Sequence, residues 1–194
     1  MNESDKILLP PSHMIYPLPA VLVSCGTLQH PNAITIAWTG TICSKPPMCY
    51  ISVRPERYSH HLIKETGDFV INLCDESMLE MLDWCGIHSG RKVDKFKEMN
   101  LSALRAVKVE APLVKEALIN IECKVKEIKT LGSHDMFIAE IVQVHSDRSL
   151  VDEKGKFQPL KAKWFVYNHD LYQTVGPEIG EYGFTHHLRK NSGE

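Results

Sequence analysis

The sequence has 194 residues, of which 43% are hydrophobic and 24% charged, so one well-buried core is expected and a disordered or fibrous chain is excluded. The formal net charge of -2 gives no basic surface of the kind that a general nucleic-acid-binding protein needs. No apolar run approaches the roughly 18 residues of a membrane span, and the N-terminus lacks the layout of a secretion signal. These observations favour a cytoplasmic protein with no nucleic-acid or membrane partner.

Strand patterns dominate the first third of the chain. "AVLVSC" from Ala20 and "AITIAW" from Ala33 are separated by a turn-rich segment, and "MCYISVR" follows Pro46 and Pro47. A proline pair cannot continue a central strand but can lead into one. Three strands within about 35 residues are typical of an antiparallel meander.

Two helices are predicted next. The first has Ser59 as its N-cap and ends at Gly67, just before the strand "DFVINL". The second lies in "DESMLEMLDWCG", with Asp75 or Ser77 as its N-cap and Gly86 as its end. The loop "IHSGRKVDKF" follows this second helix.

The second half of the chain contains a predicted long hairpin. "ALINIECKVKEI" alternates apolar and polar residues with the period of a strand, and "MFIAEIVQVHSD" is its partner across the turn "LGSHD". An aromatic and Gly-rich segment completes the chain. Because closure removes the exposed edges of so many strands, we expect a mainly β protein, a closed antiparallel barrel with a few helices.

Several chemical signatures are absent. The six cysteines have no closely paired spacing, so we interpret them as buried free thiols in a reducing compartment. No C-x-x-C or H-E-x-x-H motif occurs, and the doublets His60-His61 and His186-His187 place neighbours on different faces, so no metal site is predicted. Phosphate-loop, dinucleotide-binding and hydrolase motifs are also missing.

Two neighbouring stretches are candidates for a binding site. Hydroxyl side chains alternate with apolar ones around Trp38, an arrangement that can bind the edge and cover the face of a flat heterocycle. A barrel strand with threonines chosen for strand preference explains the same pattern. The hydroxyl-bearing residues are Thr35, Thr39, Thr41 and Ser44.

The second stretch, "RPERYS", indicates an anion site. Arg54 and Arg57 both come just before the start of the first helix, and a helix N-terminus with an arginine is sufficient to hold a phosphate. The later loop adds a second polar and cationic cluster, which either closes over the same anion or is simply a solvated basic loop. Its members are Ser89, Arg91, Lys92 and Lys95.

In order along the chain, these motifs resemble the flavin reductase-like FMN-binding split barrels, and most closely their flavoredoxin-like branch. The resemblance rests on "NAITIAWTGTICSKPPMCYISVRPERYSHHLIKETGDFVINL", with an N-A-x-T start, a hydroxyl-rich turn before the prolines, the R-P-x-R-x-S stretch and an F-V-I-N strand. "SGRKVDKF" and the late "GFTHH" extend it from Ala20 to about His187.

The resemblance implies a single split-barrel domain over residues 1–194, a Greek-key fold, and a homodimer with one FMN per subunit near the interface. Arg57 and Ser59 are then expected to hold the phosphate, with Lys92 reaching it or the ring. Trp164 and Phe184 are candidates to cover the flavin from the partner subunit, and His186 or His187 to contact a nicotinamide. The residues expected to line the ring and ribityl chain are Trp38, Thr39, Thr41, Cys43 and Ser44.

The function implied is an FMN oxidoreductase that passes electrons from NAD(P)H, or another donor, through FMN to a flavin, metal or protein acceptor. No catalytic side chain is required, because the flavin carries the redox chemistry. Two alternatives remain open: an electron carrier of flavoredoxin type without NAD(P)H activity, and a non-catalytic barrel that binds another ligand.

Overall fold

Antiparallel strands account for most of the architecture in this computed structural model, which describes residues 6–186. Within that range the strands are β1 (Leu18–Pro19), β2 (Val21–Gly26), β3 (Pro31–Ile36), β4 (Thr39–Ser44), β5 (Pro47–Val53), β6 (Asp68–Leu73), β7 (Ala103–Leu104), β8 (Leu113–Val114), β9 (Ile119–Leu131), β10 (His134–Ser146), β11 (Phe165–Asn168) and β12 (Leu171–Thr174). The helices are α1 (Tyr58–Thr66), α2 (Leu79–Ile87) and α3 (Lys95–Glu98), with short 3-10 turns at Glu76–Met78, Arg148–Leu150 and Pro159–Lys161.

Seven of the strands form one antiparallel sheet in the order β3-β2-β6-β9-β10-β5-β4. Its two edge strands, β3 and β4, are consecutive in the chain and are joined only by Ala37 and Trp38. Ser52 N–H donates to Trp38 C=O at 2.9 Å and thereby continues the β4–β5 ladder into this connection. The sheet has to curl to bring its two edges to this connection, but β3 and β4 do not pair with each other within the described residues. The result is the split antiparallel barrel that the sequence predicts.

Two apolar clusters lie on opposite faces of this sheet. The barrel interior is filled by side chains such as Val23, Ile51, Phe69 and Phe137, all of them fully buried or nearly so. The second cluster packs α2 and the β11–β12 hairpin against the outside of the barrel, and its members include Leu22, Leu82, Phe96 and Phe165. Residues on alternate sides of β2 contribute to both clusters, which explains why all six of its residues are buried.

The structure corrects the predicted start of α1. Arg57 is the N-cap, with extended backbone and no capping hydrogen bond from its side chain, and Ser59 is the second residue inside the helix. Because Ser59 lies inside the helix, it is not the cap; it is buried, and its Oγ accepts a hydrogen bond from Asn32 Nδ2 at 2.8 Å. The predicted end is confirmed, because Gly67 takes the left-handed conformation at φ 74° that glycine favours.

The boundaries of α2 and the number of early strands also differ from the predictions. Asp75 caps the 3-10 turn before α2, as expected, by accepting from Ser77 N–H at 3.0 Å. The helix, however, continues past Gly86 to Ile87. A fourth strand, β4, replaces the predicted hydroxyl-rich turn and forms a hairpin with β5.

All six cysteines are free thiols, as expected, and Cys43 is the one that is not buried. Cys49 Sγ and Cys123 Sγ lie 3.5 Å apart inside the barrel without a bond between them. The helices of the described range are all too short and too polar to span a bilayer. Residues 6–186 also contain no cluster of three or more metal-ligating side chains.

Candidate functional site

The N-terminus of α1 opens onto a cavity of about 210 Å³, named here the basic cavity. The first N–H groups of a helix lack the usual partner four residues earlier, although His60 N–H donates to Arg57 C=O at 3.1 Å here. This first turn carries no acidic residue. Two cations and several hydrogen-bonding groups surround the opening. The lining residues are Ile34, Glu56, Arg57, Tyr58, Ser59, Cys85, Gly86, His88, Ser89, Gly90 and Lys95.

Lys95 is the buried cation of this cavity. Its side chain comes from the start of α3, and its Nζ donates to Ala33 C=O at 2.7 Å and to Cys85 C=O at 2.6 Å. Burial lowers the pKa of this ammonium group, since the charged form loses hydration. An ammonium group has three hydrogens, so one remains for a further acceptor. Lys95 therefore adds positive charge that a bound anion would help to stabilise.

A junction of Asn32, Ser59 and Gly90 closes the far side of the basic cavity. Asn32 Nδ2 donates to Ser59 Oγ and also lies 3.5 Å from Cys25 Sγ. A Cβ atom on Gly90 would overlap Asn32 Oδ1 and approach Tyr58 Cδ1 to 2.9 Å, so only glycine fits there. Burial raises the pKa of the Cys25 thiol to about 11, so it stays neutral beneath the junction.

A second cavity of about 250 Å³, the aromatic cavity, shares Ile34, Arg57 and Gly86 with the basic cavity. The two cavities therefore adjoin at these residues, and together they are called the groove here. The remaining residues of the aromatic cavity are His13, Tyr16, Thr35, Ile36, Ala37, Trp38, Ser52, Val53, Arg54, His134 and Tyr167.

Trp38 is the centre of the aromatic wall. Its ring lies 4.5 Å from the His134 ring and 5.5 Å from the His13 ring, measured between centroids. Partial burial and the nearby Arg54 guanidinium lower the pKa of His134, so this imidazole is neutral at pH 7. The aromatic cavity thus offers flat apolar surface with an uncharged imidazole at its edge.

The floor of the groove is made by β3 and the last turns of α2. Thr35 Oγ1 donates to Leu82 C=O and fixes the helix against the strand. At Gly86 a Cβ would come within 3.2 Å of Thr35 Cβ. Gly86 therefore allows α2 to pack closely on β3, and a larger residue would require Thr35 to shift by a few tenths of an ångström.

The structure brings together only part of the predicted site. Trp38, Arg57 and Ser59 line the groove, whereas Lys92 lines a separate cavity of about 390 Å³ that borders the basic cavity at Tyr58 and Gly90. Four other predicted residues lie on the edge strand β4 and line neither cavity of the groove: Thr39, Thr41, Cys43 and Ser44.

The predicted C-terminal residues are also outside the groove of their own chain. Trp164 lines a different cavity, and its Nε1 donates to Pro159 C=O at 2.7 Å. Phe184 and His186 are exposed. His187 lies outside the described residues.

Sequence reasoning missed the two histidines next to Trp38. His134 begins β10 directly after the hairpin turn, and His13 precedes β1. Nothing in their sequence neighbourhoods marks them, because their contacts with Trp38 join segments that are distant in sequence and arise only in the folded chain. His88 is a further cavity residue that the sequence does not mark as part of a flavin site, and its neighbour Trp84 stands within the predicted second helix.

A split barrel with such a groove defines a class of protein, and the sequence agrees. The family described as "Flavin reductase like domain" matches residues 13–161, more than half of the chain. The chain belongs to this family. Its function is therefore flavin-related, as an oxidoreductase or an electron carrier.

Two solved structures and one relative are similar to this chain over most of its length. The chain is similar to the flavoredoxin of Desulfovibrio vulgaris (Miyazaki F), with 30% identity, a TM-score of 0.84 and coverage of 92% of this chain and 97% of that one. It is also similar to the flavoredoxin of Methanosarcina acetivorans, with 28% identity, a TM-score of 0.86 and coverage of 94% and 97%. The reductase component of a 4-nitrophenol 4-monooxygenase/4-nitrocatechol 2-monooxygenase from Rhodococcus opacus is 24% identical over 75% of this chain and 74% of its own.

Proposed function

We propose that this protein is an FMN-binding oxidoreductase. In this proposal it passes electrons from a reduced nicotinamide, or another donor, through FMN to a flavin, metal or protein acceptor. The observation that supports the proposal is the groove, in which a basic cavity at a helix N-terminus adjoins an aromatic cavity. A molecule with a flat ring at one end and a phosphate at the other fits this division.

The residues present suit the two ends of FMN. Arg57, the first-turn N–H groups of α1 and Lys95 form a set of donors for a terminal phosphate, with the Ser59 backbone as part of that turn. The one carboxylate lining the basic cavity, Glu56, is paired with Arg54 at 3.5 Å. Trp38 and Ile34 provide apolar surface for the ring. We keep Lys92 as a second candidate for the phosphate, approaching from the neighbouring cavity.

Bound FMN supplies the two-electron chemistry, and the protein supplies binding, orientation and shielding. Arg57 and Lys95 fix the phosphate and thereby set how far the ring extends along β3. Trp38 excludes water from one side of the ring. His134, neutral at pH 7, offers a ring nitrogen as a donor or an acceptor at the open end of the groove, where a nicotinamide or another substrate enters.

We further propose a homodimer whose second subunit completes the site. The edge strand β4 is exposed, including Ile42 at 48%, and an apolar side chain on an open strand edge favours pairing with another chain. Thr39, Thr41, Cys43 and Ser44 then contact a flavin at the subunit interface, largely through backbone groups. In the same assembly, Trp164 and Phe184 of the partner subunit cover the ring. A cytoplasmic location is the companion proposal, given the six free thiols.

An absorption spectrum of the freshly purified protein tests the flavin assignment. The expected result is a yellow protein whose extracted cofactor runs as FMN on chromatography. Stoichiometric FAD would contradict the proposal that one terminal phosphate is bound. A colourless protein that fails to bind added FMN would favour a barrel that binds a different ligand.

The electron-carrier function is the second candidate, favoured by the structural similarity to two flavoredoxins. Anaerobic addition of NADH and NADPH to the flavin-loaded protein separates the two functions. Rapid bleaching of the flavin bands indicates a reductase. Flavin that is reduced by dithionite but not by either nicotinamide indicates a carrier.

A further inference from the structure

His88 lies at the C-terminal end of α2 and lines the basic cavity beside Arg57 and Lys95. Its backbone N–H donates to Trp84 C=O at 3.1 Å, and its Nδ1 lies 3.0 Å from the same oxygen. The imidazole also stacks on the Trp84 ring, with 3.9 Å between centroids and 15° between planes. These contacts fix both the position and the plane of the ring.

The contact with Trp84 C=O also fixes the protonation pattern of the His88 ring. A carbonyl oxygen only accepts, so Nδ1 must carry a hydrogen. Nε2 is then a lone-pair acceptor in the neutral ring and an N–H donor in the charged ring. No hydrogen bond to Nε2 is found within residues 6–186, which leaves this atom available to a ligand in the cavity.

Groups of both signs of charge lie around His88. The carbonyl end of α2 and the face of Trp84 carry partial negative charge, whereas Arg57 and Lys95, which line the same cavity, are cations. Of the other titratable groups lining the cavity, Glu56 is paired with Arg54, Cys85 has its pKa raised to about 11 by burial, and Tyr58 is a phenol.

We propose that His88 is a ligand of the phosphate group and that it takes up a proton from solvent when FMN binds. This proposal rests on the proposed flavin function. A phosphate dianion has acceptor oxygens only, so it bonds to Nε2 when that atom carries a hydrogen. The incoming negative charge also attracts the charged form of the ring. Binding of the phosphate and protonation of the imidazole therefore favour each other.

Proton uptake predicts a pH-dependent affinity that is specific to the phosphorylated ligand. The affinity for FMN falls as pH rises from about 6.5 to about 8.5, with Kd increasing by at most about tenfold per pH unit, the limit for one proton. Riboflavin, which lacks the phosphate, shows no such slope. The second ionisation of a phosphate monoester lies near pH 6, so the titrations start above that value.

Three variants test the assignment in fluorescence titrations with FMN and riboflavin. His88→Gln keeps a polar side chain without a titrating charge, so we expect a flat FMN profile and a loss of about tenfold in affinity at pH 6.5. Arg57→Ala lowers the affinity at every pH but retains the slope. His61→Gln is the matched control, since His61 is exposed on α1 and pairs only with Glu65 at 3.4 Å, and it leaves the profile unchanged.

The outcomes separate this proposal from the flavin function itself. Wild-type protein that binds FMN with a flat profile, or His88→Gln protein that keeps the wild-type slope, overturns the role of His88 and leaves flavin binding intact. Failure of the wild-type protein to bind FMN at any pH instead overturns the proposed function. Calorimetry in two buffers of different ionisation enthalpy measures proton uptake directly, and it should vanish in His88→Gln.

Discussion

Arg54 and Arg57 lie three residues apart on either side of one turn, yet their surroundings differ. Arg54 forms an ion pair with Glu56, with both side chains more than half exposed, and such pairs contribute little to stability. No ion pair of Arg57 is found within residues 6–186, although its residue caps α1 and lines both cavities of the groove. Arg57 is therefore the arginine that is free to bind an anion.

Replacing Arg57 with alanine tests this difference. We expect FMN affinity to fall by about 1.5 to 3 kcal/mol, the usual range for a lost charge-assisted hydrogen bond, without a change in folding stability. Fluorescence titration and urea unfolding measure the two quantities. Arg148→Ala, in an exposed turn far along the chain, is the matched control. Equal affinity of the Arg57 and Arg148 variants would remove Arg57 from the phosphate site.

Gly90 provides a second test, based on space rather than charge. In Gly90→Ala the new methyl group overlaps Asn32 Oδ1, so the junction with Ser59 has to shift. We expect a loss of about 1 to 3 kcal/mol in unfolding free energy, as for other overpacked sites, together with weaker FMN binding. Gly176→Ala is the control, because no atom lies within 4 Å of its Cβ position. Similar urea midpoints for the two variants would contradict the close approach at Gly90.

At the scale of single residues, the sequence predicts which types of residue form the anion site better than it predicts which positions supply them. "RPERYS" indicates an anion site, and Arg57 and Ser59 do lie at a basic cavity. Lys92 and Lys95 are equivalent in sequence, three residues apart in one basic loop. Only the fold distinguishes them, because the start of α3 directs Lys95 onto the carbonyls of Ala33 and Cys85.

Among the elements, β6 and β9 each carry a buried carboxylate that holds the loop between β7 and β8. Asp68 accepts from the N–H groups of Glu110 and Ala111, and Glu122 accepts from those of Val107 and Lys108. Burial raises the pKa of Asp68. Burial acts in the same direction on Glu122, but its backbone hydrogen bonds and His145, 2.5 Å away, outweigh that effect and lower its pKa.

Glu122→Gln tests this attachment. The folded-state pKa of Glu122 lies below its unfolded value, so its charge stabilises the fold above the ordinary glutamate range near pH 4.3, and this contribution is lost as pH falls through the folded-state pKa. We expect the variant to lose about 1.5 to 3 kcal/mol at pH 7 and much less at about pH 3.

Urea unfolding at the two pH values measures the effect of Glu122→Gln. Glu127→Gln, on the exposed part of β9, is the control and should change neither value. A destabilisation of the Glu122 variant that is the same at both pH values would mean that shape, and not charge, holds the loop.

Strands in which apolar and polar residues clearly alternate, or in which an apolar run is fully buried, are predictable from the sequence. The strand β4 is not. "DFVINL" corresponds to β6 residue for residue, because its apolar run is bounded by Gly67 and a polar turn. In β4 the signal is weak: Gly40 interrupts it, and the register shifts between Thr41 and Cys43. The helix caps were ambiguous for another reason, since Ser59 is a good N-cap residue in general but is bound to Asn32 here.

Several large apolar side chains are exposed in the part of the molecule that the structure describes. Leu8, Ile15 and Tyr182 are almost entirely exposed, and Ile42 lies on the open edge of the sheet. A two-fold interface is the commonest way to cover such surface. The assignment of residues 1–194 to a single domain stays a prediction, as does the dimer.

A dimer of about 44 kDa is expected, twice the 22.0 kDa of one chain. If the flavin lies at the interface, association and FMN retention stabilise each other by mass action. Light scattering over a dilution series, with and without FMN, measures both effects, and FMN should shift dissociation to lower protein concentration. Riboflavin, which lacks the phosphate, is the comparison ligand. A monomer that retains FMN tightly would place the site within one chain.

The junction of Asn32, Ser59 and Gly90 also has a consequence for the order of folding. It joins β3, α1 and the loop after α2, and Asn32 and Ser59 alone are 27 positions apart. The strand pairs of the barrel join segments still further apart, and the aromatic cavity is lined by Ser52 and Val53 of β5 and by His134 of β10. The groove is therefore complete only after this long-range pairing has formed. In refolding from urea, we expect tryptophan fluorescence to recover first and flavin fluorescence to be quenched only in the slowest phase. Quenching in the earliest phase would mean that the groove assembles ahead of the barrel.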